Sequence, residues 1–434
     1  MIWLFATAQA AGYYSSDGGA RATGRAGAFV AGADDLSAQL YNPAALSRVD
    51  RQLTAQFAGV HQQVVFDRGE PVDNSAAPMP IPAIGYAHRL GSVTLAFGAW
   101  SPYAPRLSFP DDGPQRFTLI DSVVLSGNVG PSVAWKRGNW SIGGSAAWTF
   151  VSVEQSLVAH VAPLSFQADE DPIYDVRTDL DLQDPFELTW NAGLLYDTGR
   201  WALGASYTPP VRFEPRGPMT VDFSKNAYYT GEAGDLAIIA SETVTDEVVL
   251  DVVLPRVVRA GVLVRGERGE LELAGSWEQW SSMPPLEVRE VDLLIETTAA
   301  EDVRVTSDVG LPLAMQDAFS ARVGGTLHAT DRIDARAGLG VETSAVSSQY
   351  RSVFLPDALE VVYGLGGSWQ ATETLGLDLG WSQSIAPPHD LDVSLVSQVQ
   401  IDPSTGAVGA GLPVGAGRFR STTSMLAVGL NWTP

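Results

Sequence analysis

Apolar and polar residues alternate with a period of two through most of this chain. In WSIGGSAAWTF, the residues Trp140, Ile142, Gly144, Ala146, Trp148 and Phe150 share one face, with small or polar residues between them. In TLGLDLGWSQS, Leu375, Leu377, Leu379 and Trp381 share one face, and Gly376, Asp378, Gly380 and Ser382 share the other. Side chains that alternate in this way belong to β-strands.

The connections sharpen the picture. Six are tight and polar, at 89–92, 136–139, 197–200, 266–269, 330–332 and 371–374, and most carry Gly or Asp as hairpin turns require. Between them lie seven longer segments rich in Pro, Asp and Glu, near 67–80, 102–122, 159–185, 215–246, 291–316, 348–357 and 387–418. Fourteen strands result, at about 53–66, 81–90, 92–101, 123–136, 139–158, 186–198, 200–214, 247–266, 269–290, 317–329, 332–347, 358–371, 374–386 and 419–432. An even number of strands, joined by short turns and long loops in alternation, is the pattern of a bacterial outer-membrane barrel. Lipid offers the backbone no hydrogen-bond partner, so such a sheet closes on itself. The predicted fold is all-β: a transmembrane antiparallel β-barrel over 51–434, apolar outside, with Gly, Ser and scattered charges inside. Trp100, Trp135, Trp140, Trp190, Trp201, Trp277 and Trp280 fall near strand ends, where an aromatic girdle is expected. A soluble propeller or solenoid would show a fixed repeat, which loops of such variable length do not.

The first residues break the alternation. Segment 11–50 is rich in Gly and Ala. Within it, DDLSAQLYNPAAL places Leu36, Leu40 and Tyr41 on one helical face and then stops at Asn42-Pro43, because a residue before proline is driven out of the α region. A fourteen-stranded wall encloses a wide lumen, and 11–50 is predicted to fill it as a short helical hatch, or plug. Residues 1–10, MIWLFATAQA, carry an apolar stretch and an Ala8-Gln9-Ala10 site without a basic start. They read as a partial signal peptide, so export is expected.

Composition narrows the function classes. Charged residues are 18% of the chain, below the roughly 25% of soluble domains. A net charge of −23 leaves no basic stripe for nucleic acid. No apolar run reaches the about 20 residues of a membrane-spanning helix. Cysteine is absent, which removes disulfides, thiol nucleophiles and Cys-based metal sites. None of the five histidines, His61, His88, His160, His328 and His389, stands beside a Gly-x-Ser-x-Gly elbow or in a His-Glu-x-x-His helix, so an enzyme is disfavoured and no cofactor is expected. Asp169, Glu170 and Asp171 form an acidic run without EF-hand spacing and read as solvated charge, not as a metal site.

Several blocks, in order, resemble the FadL-type family of outer-membrane transporters for long-chain fatty acids and other hydrophobic compounds. GRAGAFVAGADDLSAQLYNPAAL resembles the family's hatch, with Asn42, Pro43 and Ala44 in its Asn-Pro-Ala motif. PAIGYAHRLGSVTLAFGAWSPYAP, LTWNAGLLYDTGRWALGASYTPPVRF, VLPRVVRAGVLVRGERGELELAGSWEQWS and LPDALEVVYGLGGSWQ resemble successive barrel segments. Two departures stand out: Ala45 replaces a glycine frequent after the motif, and Thr433-Pro434 follow Trp432 where such barrels end on an aromatic. The resemblance implies passive uptake: a hydrophobic ligand is caught by outer loops, enters the barrel and leaves sideways through a wall gap when the hatch shifts.

Residues for these roles follow. Gly98 and Pro102 interrupt the third strand and are the lateral-gap candidates, with the gap expected by strands 1–3 facing the Asn42-Pro43-Ala44 turn. Phe166, Tyr228, Tyr229, Leu236, Ile238 and Ile239 are loop candidates for an apolar capture groove, or equally for packing the loops on one another. Arg259, Arg322 and Arg336 face the lumen by alternation and suit a ligand carboxylate, although Glu272, Glu278, Glu342, Glu360 and Asp378 face inward too and compete for them. A non-specific porin is the alternative function. Expected partners are a hydrophobic small molecule and outer-membrane lipid with lipopolysaccharide, the chain acting as a monomer.

Overall fold

Alternation with apolar residues outside requires a closed sheet, and a computed structural model has one. It describes residues 18–101, 105–164, 169–233, 236–298, 302–311 and 313–434; segment 1–10, Pro102 and Phe166 lie outside these. Among the described residues fourteen antiparallel strands form the wall: β1 Arg51–Asp67, β2 Met79–Leu90, β3 Val93–Trp100, β4 Asp121–Arg137, β5 Trp140–Val161, β6 Asp175–Asp197, β7 Trp201–Thr208, β8 Val257–Arg265, β9 Gly269–Glu278, β10 Ala318–Thr330, β11 Ile333–Glu342, β12 Glu360–Gln370, β13 Leu375–Ile385 and β14 Gly417–Trp432. Each pairs with the next, and β14 pairs with β1 from Leu53↔Trp432 to Asp67↔Arg418. All six expected tight turns join neighbouring strands.

The outer face is apolar. Ile142, Trp148, Phe97, Leu273 and Leu379 are about half exposed, as lipid-facing residues of a barrel should be. Trp135, Trp140, Trp201, Trp369 and Trp432 stand near the tight-turn end. Trp148 pairs with Phe186 at 6.4 Å higher up. Trp140 and Trp148 are about 26 Å apart along a tilted strand, the scale of the apolar band of such barrels. Trp100 and Trp280 correct the girdle assignment. Trp280 is fully buried and its indole donates to Glu278 at 3.0 Å, while Trp100 points into the lumen.

Strand ends differ from the alternation reading where proline or charge intervenes. β7 stops at Thr208, before Pro209-Pro210, not at 214. β8 starts at Val257, after Pro255, not at 247, and β9 stops at Glu278, short of Pro284-Pro285. The excess residues belong to loop strands at Glu242–Leu250 and Leu286–Arg289. β6 begins at Asp175, eleven residues before 186; its charged start hid a strand that continues above the membrane. Over the outer end the loops bury an apolar cluster that includes Phe66, Phe213, Phe223, Trp280 and Phe419.

Candidate functional site: plug, wall break and cavities

The plug comprises α1 (Ala20–Thr23), α2 (Ala38–Tyr41) and a 3₁₀ turn at Pro43–Arg48. Asn42 is extended, with φ −158°, and its side-chain oxygen accepts from Ala44 N at 3.1 Å, capping the 3₁₀ turn that Pro43 starts. Its amide donates to Val30 O and to Leu194 O of β6, both at 3.1 Å. The Asn42-Pro43-Ala44 turn therefore rests on β5 and β6, against Gly143 and Gly193, and does not face strands 1–3 as expected. Ala45 sits without strain inside the 3₁₀ turn, fully buried, so the missing glycine leaves no trace there.

Charged contacts fasten the plug to the wall. Glu272 of β9 accepts from Val30 N at 2.8 Å, Ala31 N at 2.6 Å and Gly32 N at 3.0 Å, and pairs with Arg25 at 3.0 Å. Arg25 also reaches Glu270 at 2.8 Å. Arg21 pairs with Asp378 of β13 at 2.9 Å, and Arg48 with Asp197 of β6 at 2.6 Å. Buried carboxylates demand such partners. Sequence reasoning saw the inward carboxylates but missed these plug arginines; the Arg-rich run GARATGR was the available signal.

The wall is interrupted beside β3. β2 pairs with β3 only from Ile84↔Ala99 to Leu90↔Val93, and β3 pairs with β4 only as far as Trp100↔Asn128. Among the described residues, Met79–Ala83 of β2 and 124–127 of β4 thus have no strand partner on the side facing each other. Ser101 Oγ donates to Ser126 O across this break. In lipid, each unsatisfied peptide group costs about 1–3 kcal/mol, so such a break is a liability in a barrel wall. Pro80 and Pro82 lie in the free stretch of β2. A strand proline is tolerated where its absent N–H would face an unpaired edge. The run PMPIP was therefore a legible sign of the break that the strand reading passed over. Gly98 is paired regularly with Gly85 and Gly130 and does not interrupt β3; its missing side chain makes room for Gln39 of the plug.

Three cavities run from the loops to this break. The uppermost, about 560 Å³, is lined almost wholly by apolar side chains such as Val153, Phe213, Leu250, Met283 and Phe354. Leu254 is shared with a chamber of about 660 Å³ in the lumen, where Asn128, Thr149, Trp190, Asn191 and Arg259 add polar groups. Gln39, Leu40 and Trp100 are shared in turn with an opening of about 710 Å³ at the break. That opening reaches Phe57 and Ile84, which are 56% and 58% exposed on the outer face. Neighbouring spaces that share lining residues thus run from beneath the loops to the lipid-facing surface.

The predicted ligand residues are divided by this geometry. Arg259 lines the chamber. Arg322 pairs with Glu342 and donates to Ala26 O of the plug at 2.8 Å, and Arg336 bonds Ser368 and approaches Asp334 at 3.5 Å. Arg322 thus fastens the plug to the wall, and Arg336 ties two neighbouring wall strands together. Tyr228 and Ile238 are buried in the loop cluster, where Tyr228 packs on Tyr174 at 6.0 Å, and Leu236 packs against it. Tyr229 and Ile239 point outward, at 37% and 59% exposure. None of these five loop residues lines the three cavities; instead Phe213, Leu250, Val252 and Phe354 do, contributed by segments whose convergence no local pattern announces. Among the described residues no cluster of His, Asp or Glu is arranged to hold a metal ion. Glu170 of the acidic run pairs with Arg68 at 2.6 Å.

Comparison with known proteins agrees with this architecture. A crystal structure of a FadL homologue from Pseudomonas aeruginosa superposes with a TM-score of 0.73 at 17% identity, covering 97% of this chain and 99% of that one. The toluene transporter TodX of P. putida superposes with a TM-score of 0.68 at 14% identity, over 97% and 99% of the two chains. The Ralstonia pickettii toluene transporter TbuX gives 0.66 at 14% identity, over 96% and 98%. At these identities the likeness is one of fold. No curated protein sequence matches the chain. The family profile described as outer membrane protein transport protein (OMPP1/FadL/TodX) matches residues 2–391. With that match across nearly all of its length, a closed fourteen-strand wall and an internal plug, this chain belongs to the OMPP1/FadL/TodX family of outer-membrane transport channels.

Proposed function

We propose that the chain carries long-chain fatty acids passively across the outer membrane. Ligand enters beneath the outer loops, descends through the luminal chamber and leaves sideways into the bilayer between β2 and β4. The observation that carries this reading is the row of three cavities joined by shared residues, the last of which opens on the lipid-facing surface. The apolar upper cavity suits a hydrocarbon chain. Below it, Arg259 supplies the guanidinium that suits a carboxylate. Passage needs no energy input, because a hydrophobic molecule gains about 0.8 kcal/mol per methylene on leaving water for an apolar surrounding.

A second reading replaces the fatty acid by a neutral hydrocarbon. It is favoured by the absence of any charged side chain around the upper cavity and by Glu278, an inward carboxyl group that lines one pocket together with Arg259 and competes with a ligand for it. A photoactivatable fatty acid carrying a diazirine at its tail tests the route. After irradiation of cells that produce the protein, adducts are expected on peptides holding Phe213 or Phe354 and on those holding Phe57 or Ile81. Adducts confined to the plug's periplasmic side would overturn lateral exit. Complete suppression of labelling by toluene but none by oleate would favour the neutral ligand.

A further inference from the structure

The luminal chamber and the wall opening meet at Gln39, Leu40 and Trp100. Gln39 is held in place: it is buried, its side-chain oxygen accepts from Ser132 Oγ at 2.9 Å, and its backbone oxygen accepts from Asn191 Nδ2 at 2.8 Å. Leu40, on the next position of α2, is half-buried and has only hydrocarbon to hold it. Trp100 ends β3 with its ring toward the lumen, and its indole N–H has no partner among the described residues. Two large apolar side chains, one from the plug and one from the wall, therefore flank the boundary between the two spaces.

Over its described residues, the remainder of the plug has little room to move. It passes round the inner wall over a series of glycines, backbone against backbone. A methyl group added at Gly204 of β7 would stand 2.7 Å from Val30 O, at Gly324 of β10 2.6 Å from Arg25 O, and at Gly143 of β5 2.5 Å from Ala44 N. At Gly338 of β11 and Gly380 of β13 it would overlap Arg25 O and Ala20 O outright. Contacts of this kind have no flexible side chain to give way, and the Arg25–Glu272 pair reinforces them. Lateral passage, if it occurred by lifting the whole plug, would have to break all of them together.

We infer that the plug stays seated during passage and that Leu40 and Trp100 form the aperture that sets the ligand cross-section admitted from the chamber to the wall opening. The inference rests on the lateral-exit reading above. It concerns the place of selection, not whether transport takes place.

Uptake of radiolabelled oleate and of pyrenedecanoate, a fatty acid with a bulky aromatic end, tests it in cells lacking other fatty-acid channels. Variants Leu40→Ala and Trp100→Ala are expected to raise the pyrenedecanoate-to-oleate uptake ratio about tenfold, the discrimination that small changes of pocket shape carry. Leu40→Trp is expected to lower both uptakes by a similar factor. The amount of heat-modifiable barrel in the outer membrane normalises each variant. Because the chain has no native cysteine, Ser47→Cys with Ser141→Cys places one thiol pair where the two hydroxyls now lie 2.8 Å apart, tying plug to β5. Oleate uptake is expected to be the same in the oxidised and reduced forms. An unchanged uptake ratio in both alanine variants would overturn the aperture while leaving lateral exit intact. Loss of uptake on oxidation, reversed by a reductant, would overturn the seated plug. No uptake by the unmodified chain of either fatty acid or of labelled toluene would remove lateral exit and the aperture with it.

Discussion

At the scale of single residues, Glu272 concentrates the attachment of plug to wall. One carboxylate satisfies three consecutive backbone N–H groups and the Arg25 guanidinium, and both side chains are essentially out of contact with solvent. Removing one member of a buried pair costs about 3–5 kcal/mol where the other is left alone; here Arg25 keeps Glu270 at 2.8 Å, so the cost of losing Glu272 lies below that. Glu272→Gln keeps the shape and one acceptor oxygen but loses the charge. Hydrogen exchange of the Val30, Ala31 and Gly32 amides is expected to accelerate in that variant while the amides of β9 stay protected. Equal exchange in both proteins would show that the glycine contacts alone seat the plug. The sequence showed Glu272 as an inward carboxylate, since alternation fixes the face of a strand residue. Its partners come from 240 to 247 positions away in the chain and have no local signature.

At the scale of elements, the strands were legible because each pleat declares its two faces, and the tight turns because Gly and Asp mark them. Their outer ends were not. Once a strand rises above the bilayer the lipid face no longer has to be apolar, so charged Asp175–Asp181 continue β6 and the alternation signal fades. The outer hairpin formed by Ser397–Ile401 and Val408–Pro413 shows what holds such regions. Asp402 at its turn accepts from Ser404 N at 2.9 Å, Ser404 Oγ at 2.6 Å and Leu164 N at 3.1 Å. Burial pushes this carboxyl up, but those hydrogen bonds outweigh it and hold it below the ordinary range. A depressed folded value means stabilisation that is present above the ordinary carboxylate pKa, about 4, and lost as pH falls through the folded one. Proteolytic cleavage within 397–413 is therefore expected to rise as pH falls in the unmodified chain, and Asp402→Asn is expected to speed it at neutral pH and to flatten that acid-dependent rise. A variant cleaved at the original rate would assign the hairpin's order to its apolar packing alone.

At the scale of the whole molecule, wall and plug share the work of closing a wide lumen. The alternation predicted the wall and its strand number, and the broken helix at 34–46 predicted the occupant. What it could not show is the fit. A lumenal glycine looks the same in sequence whether it faces water or supports a backbone, and only the folded ring shows Gly204, Gly324 and Gly380 bearing the plug. A chain lacking 18–50 is expected to insert as an open barrel with a large, stable conductance in a planar bilayer, while the intact chain shows none. A steady open current from the intact chain would instead support a non-specific porin.

The pairing of β14 with β1 carries a consequence for biosynthesis. The first wall strand, Arg51–Asp67, must wait for the last, Gly417–Trp432, before either long edge is covered. β14 also covers β13, from Leu375↔Trp432 to Ile385↔Thr422. A ribosome product that stops before Gly417 is therefore not a slightly smaller channel but an open sheet with two bare edges, which lipid cannot accommodate. The seam makes closure a proofreading step: only a chain translated through Gly417–Trp432 can pair both edges of its sheet, and every shorter product exposes backbone that lipid cannot satisfy.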